Sequence, residues 1–133
     1  LAQELGLSNK VNFVGPISQE DLKRIYQEYN ILIFPSIWEE PFGITILEAM
    51  ASKVIVICSA TGGSAEIVES GNVALIFPTN DSSKCADNII MALHDEVLRK
   101  ALVSNAYEKV KFKFNLKRTF MNIEKHLIES RAC

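Results

Sequence analysis

Four short runs in this sequence, residues 11–14, 31–34, 54–57 and 73–77, are apolar at nearly every position rather than at every second one. Strands covered on one face alternate, whereas strands covered on both faces read as continuous apolar runs, so the pattern predicts a parallel sheet between two layers of helices. Helix signals fill the gaps. Ser18, followed three residues later by Asp21, is a capping-box variant that opens a helix over 18–29 with Leu22, Ile25, Tyr26 and Tyr29 on one face. Residues 43–52 and 63–70 read as two further helices, the second ending at Gly71, and a fourth starts at Asp81 or Ser82. Beyond His94 only helical periods remain. Val97, Leu98, Ala101 and Leu102 mark one amphipathic helix and Phe120, Ile123, Leu127 and Ile128 another, expected to pack over the sheet edge or to reach a missing partner. The expected fold is one α/β unit over residues 1–133, an open parallel sheet with helices on both faces, right-handed crossovers and a helical tail over 94–133. Its first seven residues read as the last turns of a helix already under way, which predicts a unit truncated at its N-terminal side.

Composition narrows the function classes. A formal charge of −2 disfavours a nucleic-acid binder, because phosphate neutralisation needs a dense basic face and only residues 109–118 are locally basic. The longest stretch without a charged residue, 54–65, has 12 members, short of the ~20 apolar residues a membrane span needs. Three cysteines, Cys58, Cys85 and Cys133, cannot all pair within the chain and come without a signal peptide, which suits a reducing cytoplasm. The alternation Lys109-Val110-Lys111-Phe112-Lys113-Phe114 suits either a solvated helix end or peripheral contact with an anionic cytoplasmic membrane face.

Ligands of open parallel sheets bind beyond the carboxyl ends of the strands, which directs attention to the loops there. The loop after Phe34 runs Pro35-Ser36-Ile37-Trp38-Glu39-Glu40-Pro41-Phe42-Gly43 and enters a helix apolar on nearly every side. Glu48 is that helix's only charged member. It falls in the set Ile44, Leu47, Glu48, Ala51, whose spacing predicts a core-facing stripe, and an unpartnered carboxylate there would cost several kcal/mol. Either a neighbouring cation holds it or a polar ligand does. The helix start offers free amides, the positive end of a dipole and a glycine, Gly43, that lets an anion approach the main chain. A phosphate carried beside vicinal hydroxyls, as in a sugar nucleotide, would satisfy both the helix start and Glu48. Gly62-Gly63 marks a tight turn before a helix, with amides able to face the same cleft.

The run from Phe34 through Glu40-Pro41-Phe42-Gly43 to Glu48-Ala49-Met50-Ala51 resembles the signature of group 1 (family 4) glycosyltransferases, retaining enzymes of the GT-B architecture whose hallmark is two glutamates separated by seven residues. Glu40 and Glu48 stand at that separation. Val11-Asn12-Phe13-Val14-Gly15 and Gly62-Gly63-Ser64-Ala65-Glu66-Ile67-Val68 resemble flanking segments of the same family, so the likeness spans about residues 1–78. The chain departs from the family at Lys53, Ile55 and Ala74, where Gly, Pro and Gly are usual.

The resemblance implies a Rossmann-like donor-binding domain. Glu40 would lie by the transferred sugar as the catalytic carboxylate, and Glu48 would accept hydrogen bonds from the ribose hydroxyls. The amides of Phe42, Gly43 and Ile44 would hold the diphosphate, and the base would rest near Val14, Gly15 and Pro16. It implies a nucleotide-diphosphate sugar as substrate, no metal or other cofactor, and an N-terminal acceptor domain outside these residues. A hexosyl transfer to an acceptor hydroxyl with retention of configuration follows, with the isolated 133 residues inactive. The alternative is a non-catalytic α/β interaction module whose glycosyltransferase site has decayed. A dinucleotide-dependent oxidoreductase is disfavoured, since no Gly-x-Gly-x-x-Gly follows any strand.

Overall fold

The computed structural model describes residues 1–68 and 72–130. Strands β1 (Ile31–Phe34), β2 (Ile55–Cys58) and β3 (Leu75–Ile76) form a parallel sheet in the order β1-β2-β3, with Phe34 opposite Cys58 and Cys58 opposite Ile76. All four residues of the central strand are buried. Successive side chains leave a strand on opposite faces, and each face of β2 has its own apolar layer. Val56 and Cys58 join Ile46, Met50 and Ile67, whereas Ile55 and Ile57 join Leu75, Phe77, Ala92 and Leu102. This double coverage is why the run is continuously apolar.

The helices are α1 (Gln19–Glu28), α2 (Ile44–Ala51), α3 (Ser64–Ile67), α4 (Ser82–His94), α5 (Glu96–Lys113) and α6 (Leu116–Ser130). Tyr26 of α1, Ile46 of α2 and Ile67 of α3 belong to the first layer and Ala92 of α4 to the second, while α5 reaches both through Ala106 and Leu102. Three helix starts carry the acceptor their sequence promises. Ser18 accepts from the Asp21 amide at 3.1 Å, Asp81 from that of Lys84 at 2.8 Å and Asp95 from that of Leu98 at 2.8 Å. Each such cap is worth about 1 kcal/mol.

Three expectations are corrected. Residues 11–14 are not a strand: they run extended without joining the sheet, with Phe13 84% and Val14 60% exposed. Apolar character creates a strand only where a neighbouring edge supplies hydrogen bonds, and these residues join none of the three strands. The fourth run shortens to the two residues of β3, with Phe77 adding one further bond from its amide to the Cys58 carbonyl at 3.1 Å. Of the two courses expected for the apolar stripe of α6, packing over the sheet edge is overturned, since Phe120, Ile123, Leu127 and Ile128 are all exposed, and the course toward a missing partner stays open. The end of the third expected helix, at Ser70 and Gly71, lies outside the described residues, as does Cys133. Residues 1–7 form hydrogen-bonded turns and no regular helix, with the Leu7 amide donating to the Ala2 carbonyl at 2.8 Å across a left-handed Gly6.

Cys58 and Cys85 are free thiols, and burial pushes Cys58 up to about 11, which keeps it an unreactive core residue. Among the described residues no helix is long and apolar enough to cross a membrane. Asn88 is a buried polar residue of α4 whose side-chain amide donates to the Ile76 carbonyl at 3.1 Å. Asn88→Ala is expected to lower stability by about 1–3 kcal/mol by leaving that carbonyl unpaired, as a denaturant titration would show.

Candidate active site

The site loop leaves β1 at Phe34 and returns as α2, and the loop after β2 holds it down. The Ser59 amide continues the strand pairing by donating to the Phe34 carbonyl at 3.2 Å. Beyond it the hydroxyl of Ser59 donates to the Ser36 carbonyl, the hydroxyl of Thr61 to the Trp38 carbonyl, and the amide of Gly63 to the Glu40 carbonyl at 2.6 Å. Donors two residues apart meet acceptors two residues apart. The parallel register thus persists past the sheet, carried by two hydroxyls and one amide.

Gly62 and Gly63 make this approach possible. A Cβ on Gly62 would lie 2.7 Å from the Glu40 carbonyl oxygen, and one on Gly63 would lie 2.2 Å from that of Pro41. Their role is close backbone contact with the Glu40 loop, a role that the sequence pattern alone read as a turn. Glu40 itself is half-buried and accepts from the Ser36 hydroxyl at 2.6 Å.

Helix α2 starts at Gly43, whose φ of +85° lies in the left-handed region, and no side chain caps the helix. The Ile46 amide turns back to the Gly43 carbonyl at 3.0 Å, and the amides ahead of it lack the carbonyl four residues back that interior helix amides use, with the dipole's positive end pointing the same way. The glycine also has a packing reason that the sequence does not disclose. Gly43 is buried, and a Cβ there would meet Ser64 at 3.2 Å and Ile67 at 3.7 Å, so the missing side chain makes room for α3. Phe42 and Ile44 on either side are exposed, and Phe42 meets the Phe114 ring edge-on at 6.0 Å.

The core-facing stripe expected on α2 is also corrected. The buried residues are Ile46, Ala49 and Met50, whereas Ile44 is 63% exposed and Glu48 half-buried on the flank. A helix apolar all round carries no period that selects a face, and packing against α5 and β2 selected it. Glu48 therefore avoids the full desolvation cost of a core carboxylate. It accepts from the Tyr26 hydroxyl at 3.5 Å and lines a crevice of about 330 Å³ between α1 and α2, together with Gln19, Lys23 and Ser52. Among the described residues no cation stands within ion-pair distance of Glu48, although Lys23 lines the same crevice. Burial, and then the facing Glu48 charge, raise the Tyr26 pKa and keep its phenol a donor.

Val14 lines a separate groove of about 370 Å³ whose walls include Tyr26 and Thr45, so Tyr26 stands between that groove and the Glu48 crevice. Gly15 and Pro16 are exposed beside it. The departures from the family pattern lie away from the loops that bear Glu40: Lys53 and Ile55 sit at the start of β2 and Ala74 just before β3. Lys53 takes a left-handed φ of +63°, and its ammonium lies 5.1 Å from the centre of the Tyr107 ring. Among the described residues no group of three or more His, Cys, Asp or Glu is placed to hold a metal ion.

Known proteins share this sequence pattern and fold. Residues 1–109 match the pattern of the family described as Glycosyl transferases group 1. An uncharacterized glycosyltransferase of Methanocaldococcus jannaschii is 34% identical over 133 residues, covering 97% of this chain and 34% of that protein. The solved sucrose-phosphate synthase of Thermosynechococcus elongatus superposes with a TM-score of 0.86 at 33% identity, over 98% of this chain and 33% of that one. Anabaena HepE, solved in complex with UDP-glucose, superposes with a TM-score of 0.86 at 26% identity, over 96% of this chain and 35% of that one. The chain thus spans about a third of the length of these relatives. A sequence match over most of its length, carried on the same parallel α/β scaffold and with the two-glutamate loop and helix in place, makes this chain a member of the group 1 glycosyl transferases.

Proposed function

We propose that residues 1–133 are the donor-binding part, truncated at its N-terminal side, of a retaining glycosyltransferase that moves a hexosyl group from a nucleotide-diphosphate sugar to an acceptor hydroxyl. The observation that carries this reading is the start of α2, without a side-chain cap, between two half-buried carboxylates, Glu40 and Glu48, neither of them in an ion pair among the described residues. A diphosphate suits the amides of Phe42, Gly43 and Ile44, because a helix start favours negative charge. Ribose hydroxyls suit Glu48, a carboxylate with lone pairs to spare, and the base suits the exposed segment Val14, Gly15 and Pro16. The complex of Anabaena HepE with UDP-glucose supports a nucleotide sugar as the ligand class.

In the reaction the bond between the anomeric carbon and the diphosphate oxygen breaks, and a bond from the acceptor oxygen forms on the same face. The departing diphosphate takes the acceptor's proton. Glu40 stabilises positive charge at the anomeric centre, and the α2 start stabilises the negative charge that develops on the leaving group. No metal is assigned to this step. The acceptor is bound by an N-terminal domain outside these residues, in the cytoplasm or at the cytoplasmic membrane face, with Lys109, Lys111 and Lys113 able to meet anionic lipid. The decayed-module alternative rests on Lys53, Ile55 and Ala74, which stand apart from the Glu40 loop.

Glu48→Ala in the full-length enzyme tests the proposal. The donor KM is expected to rise roughly 10- to 100-fold, the loss of hydrogen bonds to a charged group, while stability changes by less than about 1 kcal/mol because the carboxylate is half-exposed. A clear loss of stability with an unchanged donor KM would instead make Glu48 a structural acid. Calorimetric titration of residues 1–133 alone with nucleotide sugars is expected to give weaker than submicromolar binding and no turnover.

A further inference from the structure

Ser36 lies two residues beyond β1 and makes more interactions than a loop serine needs. Its hydroxyl donates to Glu40 at 2.6 Å and accepts from the Trp38 amide at 3.3 Å, while its carbonyl accepts from the Ser59 hydroxyl. Ser59 is buried at the end of the central strand, the most enclosed element of the fold. A chain of bonds therefore runs from the core through Ser36 to one carboxylate oxygen of Glu40. The main chain of Glu40 is fixed separately by the Gly63 amide. With its backbone held from one side and its carboxylate from another, Glu40 has little freedom to turn. A hydroxyl donor also leaves the second carboxylate oxygen for a ligand.

We propose that Ser36 is the positioning residue for Glu40, and that the Ser59 and Thr61 hydroxyls set Ser36 by continuing the parallel register of β1 and β2 past the sheet. The inference rests on the reading of Glu40 as the catalytic carboxylate. A carboxylate that acts on charge at one carbon must be held to a fraction of an ångström, and an error of about 1 Å can cost on the order of 100-fold in rate. Backbone pairing alone cannot do this, since Glu carries three rotatable side-chain bonds. The Ser36 hydroxyl supplies the remaining restraint.

The test uses the full-length enzyme with saturating acceptor. Ser36→Ala is expected to lower kcat roughly 10- to 100-fold with donor KM and affinity for the free nucleoside diphosphate nearly unchanged. Ser36→Thr, which keeps the hydroxyl, should restore most of the rate. Thr61→Val, which preserves shape and removes one bond of the register, should lower kcat in the same direction by less. In the background of Glu40→Gln, Ser36→Ala should cost little more, because the two residues act as one unit. A wild-type kcat in Ser36→Ala, or an equal loss in Ser36→Thr, overturns the proposal, as does full additivity with Glu40→Gln. If Glu40→Gln itself keeps the wild-type rate, the reading of the site fails rather than the role of Ser36 alone.

Discussion

Glu40→Gln in the full-length enzyme is expected to reduce kcat by about 100- to 1,000-fold, the range typical for removing one preorganised electrostatic group at a reacting centre. The substitution conserves shape, and the amide oxygen of Gln can still accept from the Ser36 hydroxyl that now meets Glu40 at 2.6 Å. Only the negative charge is lost. Among the described residues Glu40 has no ion-pair partner to be stranded, so stability should change by less than about 1 kcal/mol. The donor KM should stay within a few-fold, because the diphosphate and ribose contacts are assigned to the α2 start and to Glu48. Steady-state kinetics with varied donor, run beside a thermal melt, separates these quantities. A kcat within about threefold of wild type would remove Glu40 from the chemistry, since a loss that small is below 1 kcal/mol of barrier.

Among the described glycines, Gly63→Ala is expected to be the most damaging addition of a single methyl. The new Cβ would stand 2.2 Å from the Pro41 carbonyl oxygen and 3.1 Å from that of Glu40, both of them backbone atoms that cannot rotate away. Relief requires the two loops to separate, which breaks the 2.6 Å bond from the Gly63 amide to Glu40. A stability loss of about 2–4 kcal/mol follows from overpacking plus that bond, with kcat falling as the Glu40 loop shifts. Gly15→Ala is the control. Gly15 has a left-handed φ of +68° with nothing within 4 Å of the added carbon, so it should cost only the ~1–2 kcal/mol of backbone strain and leave the Glu40 loop in place. Equal effects of the two variants on kcat would show that the glycine pair serves the local turn rather than the contact between loops.

These two variants mark different degrees of legibility. Glu40 could be found in the sequence because a family signature surrounds it and because it precedes a helix after an apolar strand. The work of Gly63 was not legible, since its partner Pro41 is 22 residues away in the chain and no local pattern encodes a backbone contact at that separation. Ser36, Ser59 and Thr61 were missed for a related reason. Serine and threonine in loops suit turns and caps, and only their alternation against residues 36, 38 and 40 discloses a register. The signal was present as Ser59-x-Thr61-x-Gly63, yet it acquires meaning only once the pairing of β1 with β2 is known.

The sequence by itself determined the elements whose cause is local or statistical. The buried strand β2 follows from an apolar run without alternation, and the starts of α1, α4 and α5 are capped by Ser18, Asp81 and Asp95. The tertiary structure decided every question of partner and face. Residues 11–14 have strand composition but join no strand of the sheet, α2 is apolar all round and took its buried face from α5 and β2, and Gly43 yields space to α3. The physical reason is the same throughout. Propensity and capping act over three or four residues, whereas burial, close approach and hydrogen-bond register depend on which distant segment arrives alongside, and that is fixed only when the chain has folded.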